Sequence, residues 1–312
     1  MTNTMLIFGC GYSGRALART LIAEGWRVIG TTRSADRARD LAAEGIEAVV
    51  WPGNDLTPHL ADATHLLLSA APDDDGDPVL AALADQIGRQ RFDWVGYLST
   101  TGVYGDHQGG WVDETTPLTP STRRGRQRVR AEGQWRALAA EAGLPLHIFR
   151  LAGIYGPGRG PFAKVRRGTA RQIVKPGQVF SRIHVEDIAQ VLAASIARPD
   201  PGAVYNVCDD EPAPASEVVA FAAGLLGMDP PPAVPLAEAD LSPMARSFYA
   251  DNRRVRNDRI KKELGVELRY PTFREGLRAC LAAEAQRAPA TDPESSATVA
   301  HSRSRSGSSD SR

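Results

Sequence analysis

The chain has 312 residues, 42% hydrophobic and 24% charged, and its 37 basic and 37 acidic side chains cancel at pH 7. That is the composition of a globular enzyme, either two domains or one large α/β domain with an appendage. It offers no net field to draw in nucleic acid or a membrane surface, and no apolar run reaches bilayer-spanning length. The chain does not open on a basic stretch followed by an apolar one, so no secretory signal is expected. The cysteines Cys10, Cys208 and Cys280 are far apart and odd in number, which suggests neither a disulfide framework nor a metal site. A reducing cytoplasm is the expected setting.

Strand and helix patterns alternate from the start. Residues 5–8 read as a strand, 13–24 as a helix, 27–31 as a strand, 35–44 as a helix, and 48–51 and 65–69 as strands. Then follow a helix at 78–88, a strand at 94–99, a long helix from about 122 to 142, a strand at 146–151, a helix at 185–197 and a strand at 204–207. Gly25, Gly45 and Gly143 sit where helices should stop. Continuous apolar strands alternating with helices predict an α/β fold, a Rossmann-type doubly wound parallel sheet, with a smaller C-terminal substrate lobe. After about residue 210 the pattern changes to helices at 216–226, 259–264 and 273–284, with Pro230-Pro231-Pro232 between the first two. Thr272 and Glu275 have the spacing of a capping box for the last helix. The expected division is 1–210 for the dinucleotide-binding domain, with an excursion at 156–182, then 211–286 for the lobe and 287–312 for a disordered tail.

The first strand runs into Gly9-Cys10-Gly11-Tyr12-Ser13-Gly14. Gly9 suits a tight turn, Gly11 a close approach of pyrophosphate to the backbone, and Gly14 close packing of helix on strand. The pyrophosphate would rest on free N–H groups at the positive end of the helix. The alternative is an ordinary tight turn. The second strand bears on which dinucleotide. It ends Thr31-Thr32-Arg33-Ser34, with no acid until Asp36, whereas a site for NAD usually places an acid there for the ribose 2′-hydroxyl. The guanidinium of Arg33 suits a 2′-phosphate, so NADP is expected, with NAD as the alternative and a solvated Arg33 as the bland reading.

Three later segments carry chemistry at the carboxyl edge of such a sheet. They are Ser99-Thr100-Thr101-Gly102-Val103-Tyr104-Gly105, Gly153-Ile154-Tyr155-Gly156-Pro157-Gly158-Arg159 and Arg182-Ile183-His184-Val185-Glu186-Asp187. Together with Tyr205-Asn206-Val207 and the run from Tyr270 to Leu277, they resemble the extended short-chain dehydrogenase/reductase superfamily of NAD-dependent epimerase/dehydratase type, over roughly residues 3–285. The resemblance implies an oxidoreductase or epimerase acting on a nucleotide-sugar-like or small carbonyl substrate. It also implies a small-molecule partner, with a homodimer as the candidate assembly, while the balanced charge argues against nucleic acid and membrane. Ala70, Ala71 and Ser99 join Gly9, Cys10, Gly11, Tyr12, Ser13, Gly14 and Arg33 as the expected cofactor residues, and no metal is expected.

Two departures mark an atypical branch. Phe8 stands where the family usually has its first glycine. The family's Tyr-x-x-x-Lys pair is absent as well. Pro120, Gly125 and Glu132 hold the register, and Arg124 falls on the tyrosine and Arg128 on the lysine. Arginine does not shuttle protons, and general acid–base catalysis contributes roughly 10² to 10⁴ in rate, so ordinary hydride-transfer chemistry is impaired. Arg128 can still bind ribose or phosphate, Arg124 can clamp an anion, and Thr100 can hydrogen-bond a substrate oxygen. The alternative is a non-catalytic NAD(P)-binding regulatory protein.

The blander readings are equally definite. Arg123, Arg124, Arg126, Arg128 and Arg130 could form a solvated helix face. Tyr104, Tyr155 and His184 could be structural, and Cys10 could be a small residue that fits its loop. Asp73-Asp74-Asp75-Gly76-Asp77 reads as a solvated loop with Asp77 capping the helix begun by Pro78. The prolines near 230 read as a linker.

Overall fold

Strand β1 (Thr4–Phe8) is buried along its whole length, as a strand must be when helices cover both faces of its sheet. The computed structural model describes residues 3–287, so the stretch 288–312 of the expected tail lies outside the described residues. Seven parallel strands form the sheet, in the spatial order β11 (Val204–Val207), β7 (Leu146–Leu151), β5 (Trp94–Thr100), β4 (His65–Leu68), β1, β2 (Arg27–Thr32) and β3 (Glu47–Val50). The order reverses between β1 and β4, which opens a crevice above their carboxyl ends where ligands of such sheets bind.

Side chains alternate across the sheet. Met5 and Ile7 pack under α1 (Tyr12–Ala23) and α7 (Val185–Ala197), beside Leu17, Leu21, Ile188 and Leu192. Leu6 and Phe8 face the other way, toward α4 (Pro78–Gly88) and α5 (Arg123–Ala142), beside Val79, Ile87, Ala131 and Trp135. Helix α2 (Ala35–Ala43) follows β2, and Ser34 caps it by accepting from Arg37 N. Asp77 caps α4 as expected, accepting from Val79 N and Leu80 N. Gly143 ends α5 in the left-handed region at φ 68°. The sequence pattern did not show the short α3 (Thr57–Asp62), whose N-cap Leu56 has no capping side chain.

The C-terminal part packs as a smaller cluster. Phe162 and Val165 of α6 (Phe162–Arg166), Ala222 and Ala223 of α8 (Ala215–Leu225), and Phe273, Leu277 and Cys280 of α11 (Phe273–Arg287) bury one another with Tyr155. The capping box at the start of α11 is present: Thr272 N donates to Glu275 Oε2 at 3.1 Å and Arg274 N to Thr272 Oγ1 at 3.1 Å. Three short parallel pairs join distant stretches of chain. They are β6 (Trp111–Val112) with β13 (Arg254–Val255), β8 (Gly153–Tyr155) with β10 (Arg182–His184), and β9 (Gln172–Val174) with β12 (Ala233–Pro235). The proline stretch read as a free linker is anchored: Gln172 N donates to Pro232 O and Gln172 Nε2 to Pro231 O. Helices α9 (Pro243–Ser247) and α10 (Asp258–Lys262) flank β13.

Candidate functional site

The 9–14 turn joins β1 to α1 at the crevice. Gly9 has φ +73°, and a Cβ there would lie 3.0 Å from Ala70 N, so the turn needs glycine for both backbone and space. A Cβ on Gly14 would lie 3.0 Å from Ile7 Cγ2, so this glycine sets how closely α1 sits on the sheet. Gly11 is different. Its φ of −94° suits any residue, and a Cβ there would meet only Gly9 O, at 3.8 Å. Neither backbone nor packing calls for glycine at that position. No side chain caps α1 and no acid lies in its first turn, so its leading N–H groups and positive dipole end are available to an anion.

The neighbours of the turn are distributed as follows. Cys10 is buried, and burial pushes its thiol up to about 12, against the pull of Arg15 and Arg19. It is a small apolar residue here, not a nucleophile. Ser13 is buried, Ala70 half-buried and Ala71 exposed. Tyr12 reaches away from the turn and donates to Pro157 O at 3.0 Å, and the Arg159 guanidinium lies 5.6 Å from the centre of its ring. Arg33 follows β2, exposed, with no hydrogen bond or ion pair to any described residue.

Across the crevice stands β5. Thr100 is half-buried and caps the 3₁₀ turn Thr101–Tyr104, accepting from Gly102 N at 3.1 Å. Its own proton stays free to donate. Ser99, expected on the cofactor, donates its hydroxyl proton to Glu132 Oε1 at 2.5 Å, which leaves that oxygen only as an acceptor. Glu132 is wholly buried and is held by both arms of Arg150, at 3.2 and 2.9 Å. Arg150 also donates to Tyr104 Oη at 2.9 Å, and Tyr104 to Asn206 Oδ1 at 2.7 Å. Tyr104 is therefore structural, and burial raises its phenol above the usual range. Tyr155 packs in the C-terminal cluster, where burial and then Asp209 raise its phenol. His184 caps α7 through Nδ1, and burial holds its imidazole down to about 4. The network from Ser99 to Asn206 gave no sequence signal beyond the register of Glu132.

Four of the five arginines of α5, Arg123, Arg124, Arg126 and Arg130, are exposed, as the solvated-face reading expects, and Arg128 is half-buried. Arg123 pairs with Asp74, to which Gln127 also donates at 2.6 Å, and Arg130 donates to Asp74 O at 2.6 Å. The acidic loop, expected to be simply solvated, is docked on this helix because its charge is matched there. Arg126 bonds Ser121 O at 2.7 Å. Arg128 is half-buried and donates to Leu98 O at 2.6 Å and Tyr97 Oη at 3.2 Å, at the end of β5. Arg124, one helical turn earlier on the same face, is exposed and has no partner among the described residues. Gly125 fixes this end of α5: a Cβ there would lie 2.8 Å from Gly102 O.

The C-terminal segment supplies a residue that the sequence did not single out. Arg253 donates to Gly105 O at 2.6 Å and pairs with Asp251 at 3.1 Å. Among the described residues, no group of three or more metal-ligating side chains is gathered and no helix is long and apolar enough to cross a membrane.

Residues 77–208 match the model of the NAD dependent epimerase/dehydratase family. Protein YeeZ of Escherichia coli (strain K12) is 31% identical over 282 residues, spanning 85% of this chain and 95% of YeeZ. A 3-diazoavenalumate denitrifying reductase of a Streptomyces species is 31% identical over 162 residues, 48% of this chain and 51% of the reductase. A functionally unknown conserved protein from Silicibacter pomeroyi DSS superimposes with a TM-score of 0.86 at 63% identity, over 91% of this chain and 99% of that one. The UDP-glucuronic acid 4-epimerase of Bacillus cereus, in complex with NAD, superimposes with a TM-score of 0.74 at 16% identity, over 91% of this chain and 99% of the epimerase. At that identity the likeness is one of fold.

Proposed function

Because the chain belongs to the NAD-dependent epimerase/dehydratase family, we propose that it binds NADP(H) at the 9–14 turn and acts as an oxidoreductase on a small carbonyl compound. The observation that carries this reading is Gly11, a glycine that neither its backbone nor its neighbours require. What remains to account for it is the approach of a ligand to the uncapped end of α1, where a pyrophosphate would rest on the N–H groups. Arg33 supports NADP over NAD, since it stands unpaired beyond β2 where an acid would repel a 2′-phosphate.

The bound nicotinamide would supply the hydride chemistry. Arg128, anchored on Leu98 O, would hold the nearby ribose. Thr100 would hydrogen-bond the substrate oxygen through its free hydroxyl, and Arg124 would offer its guanidinium to an anionic group of the substrate. With no tyrosine to relay a proton, the final proton would come from water. The Streptomyces reductase supports reduction rather than epimerisation. Three buried thiols, none in a disulfide, support a cytoplasmic setting.

Titration of wild type and Arg33→Ala with NADPH and NADH tests the cofactor reading. NADPH should bind wild type about ten- to a hundredfold more tightly than NADH, the worth of a charge-assisted contact, and Arg33→Ala should erase that difference. Equal affinities in wild type would overturn the NADP assignment. The exchange of tyrosine for Arg124 favours one second reading, a non-catalytic NAD(P)-binding regulator. Failure to oxidise NADPH with any of a broad carbonyl panel, alongside intact binding, would select it.

A further inference from the structure

We infer that the substrate carries a carboxylate, held between Arg253 and Arg124 with its carbonyl oxygen on Thr100. This rests on the reading of the crevice as a cofactor and substrate site, and adds the class of compound it takes.

The geometry converges on Gly102. A methyl group built there would lie 3.5 Å from Thr100 Oγ1 and 3.9 Å from Arg253 Nη2, so the hydroxyl and the guanidinium border the same space. Arg253 comes from the far end of the chain, and its side chain is only 16% exposed. Its Nη1 is bound to Gly105 O and Asp251, while Nη2 has no partner among the described residues. Burial lowers its pKa despite the nearby Asp251, the mark of a guanidinium whose lost hydration is not fully replaced. Asp251 is itself shared, because it also accepts from Ser121 Oγ.

On the other side, Gly125 lies against Gly102 O, which brings the first turn of α5 to the same spot. Arg124 precedes Gly125, exposed and paired with no acid among the described residues. Asp251 and Asp106 both bear on Arg253, but neither bonds its Nη2, so both guanidinium groups keep donors for an anion. A planar carboxylate matches a guanidinium fork, and Thr100 is placed to bond the adjacent carbonyl oxygen of a 2-oxo acid. The clamp also explains what Arg124 and Arg128 do in place of the family's Tyr-x-x-x-Lys: Arg128 stays with the cofactor and Arg124 meets an acidic substrate.

A matched pair of probes tests the clamp. Phenylglyoxylate and its neutral methyl ester share the ring and the ketone and differ in the charge. Each is titrated calorimetrically against the full chain, with and without NADP⁺, in wild type, Arg253→Gln and Arg124→Gln. Wild type should prefer the anion by at least about tenfold, and each variant should lose most of that preference. NADP⁺ affinity and the circular dichroism spectrum should not change. Arg124→Gln alters a surface residue with no partners, so it reads the clamp even if Arg253→Gln folds poorly. Equal affinity for the two probes in wild type, or no binding of either, would overturn the inference, as would a preference that survives in both variants. If wild type failed to bind NADP⁺, the cofactor reading would fall, and the titrations without cofactor would still judge the clamp.

Discussion

Two glycines three residues apart make different demands, and substitution separates them. A Cβ on Gly14 runs into Ile7, so Gly14→Val should destabilise the fold by about 1–3 kcal/mol, as overpacking does. A Cβ on Gly11 makes only an ordinary contact, 3.8 Å from Gly9 O, so Gly11→Val should change stability by only about 1 kcal/mol, a helix-cap effect, while abolishing NADPH binding. Thermal melts and a cofactor titration on both variants check this, and undiminished binding in Gly11→Val would make the turn merely structural. His184 gives a second residue-scale prediction. Its folded pKa of about 4 lies below the ordinary 6.5, so the stability of the neutral ring is present above pH 6.5 and is lost as pH falls toward 4. Asp187, which burial lifts to about 6, works in the opposite direction but is common to both proteins compared. His184→Asn keeps a capping side chain and removes the titration. Between pH 7 and pH 4 it should lose up to about 3 kcal/mol less stability than wild type in urea melts.

At the scale of the element, α5 shows how function and folding share one helix. Its buried side carries Glu132, which is bound by Ser99 and by both arms of Arg150. Glu132→Ala would leave Arg150 charged in the core with the Tyr104 hydroxyl but no carboxylate beside it, at a cost of about 3–5 kcal/mol. Glu132→Leu combined with Arg150→Met should recover most of that loss, since hydrophobic side chains of similar volume often replace a buried ion pair without penalty. Denaturant melts of the two variants decide the matter, and equal losses would show that the pair contributes through shape and not charge. The helix itself was legible in the sequence from its length and its Gly143 stop, and the structure adds Thr122 as its cap. The docking of Asp74 on Arg123, Gln127 and Arg130 was not, because charge runs read as solvated until tertiary structure brings opposite signs together.

Across the whole molecule, legibility follows the range of the signal. The sheet and its main helices were readable because period and glycine punctuation are local, and β1, β7, β11, α4 and α7 lie within a residue of their expected bounds. The pairs β6–β13, β8–β10 and β9–β12 were not, since each is two or three residues long and joins segments far apart in the chain. The same limit applies to the candidate site. Gly9, Gly11 and Gly14 announce themselves in one hexapeptide, but Arg253 stands about 150 residues from Thr100 and nothing local marks it. Tyr12 likewise reaches Pro157 only once α1 and the loop after β8 are packed side by side.

The position of α5 depends little on the two arginines it presents to the crevice. Gly125 against Gly102 and Glu132 against Arg150 set its depth and rotation, while Arg124 makes no hydrogen bond or ion pair among the described residues and Arg128 rests on Leu98 O and Tyr97. The scaffold is thus a socket that accepts different reactive groups without being rebuilt, and a lineage could change its chemistry there by exchanging two side chains. Arg124→Tyr with Arg128→Lys should accordingly fold, losing at most about 1–2 kcal/mol for the hydrogen bonds that Arg128 gives up at Leu98 O and Tyr97 Oη. By supplying a proton relay it should also raise NADPH-dependent reduction of carbonyl compounds by about 10² or more. A double variant that folds and binds NADPH yet reduces no faster than wild type would show that the socket does not place these positions over the reacting atoms.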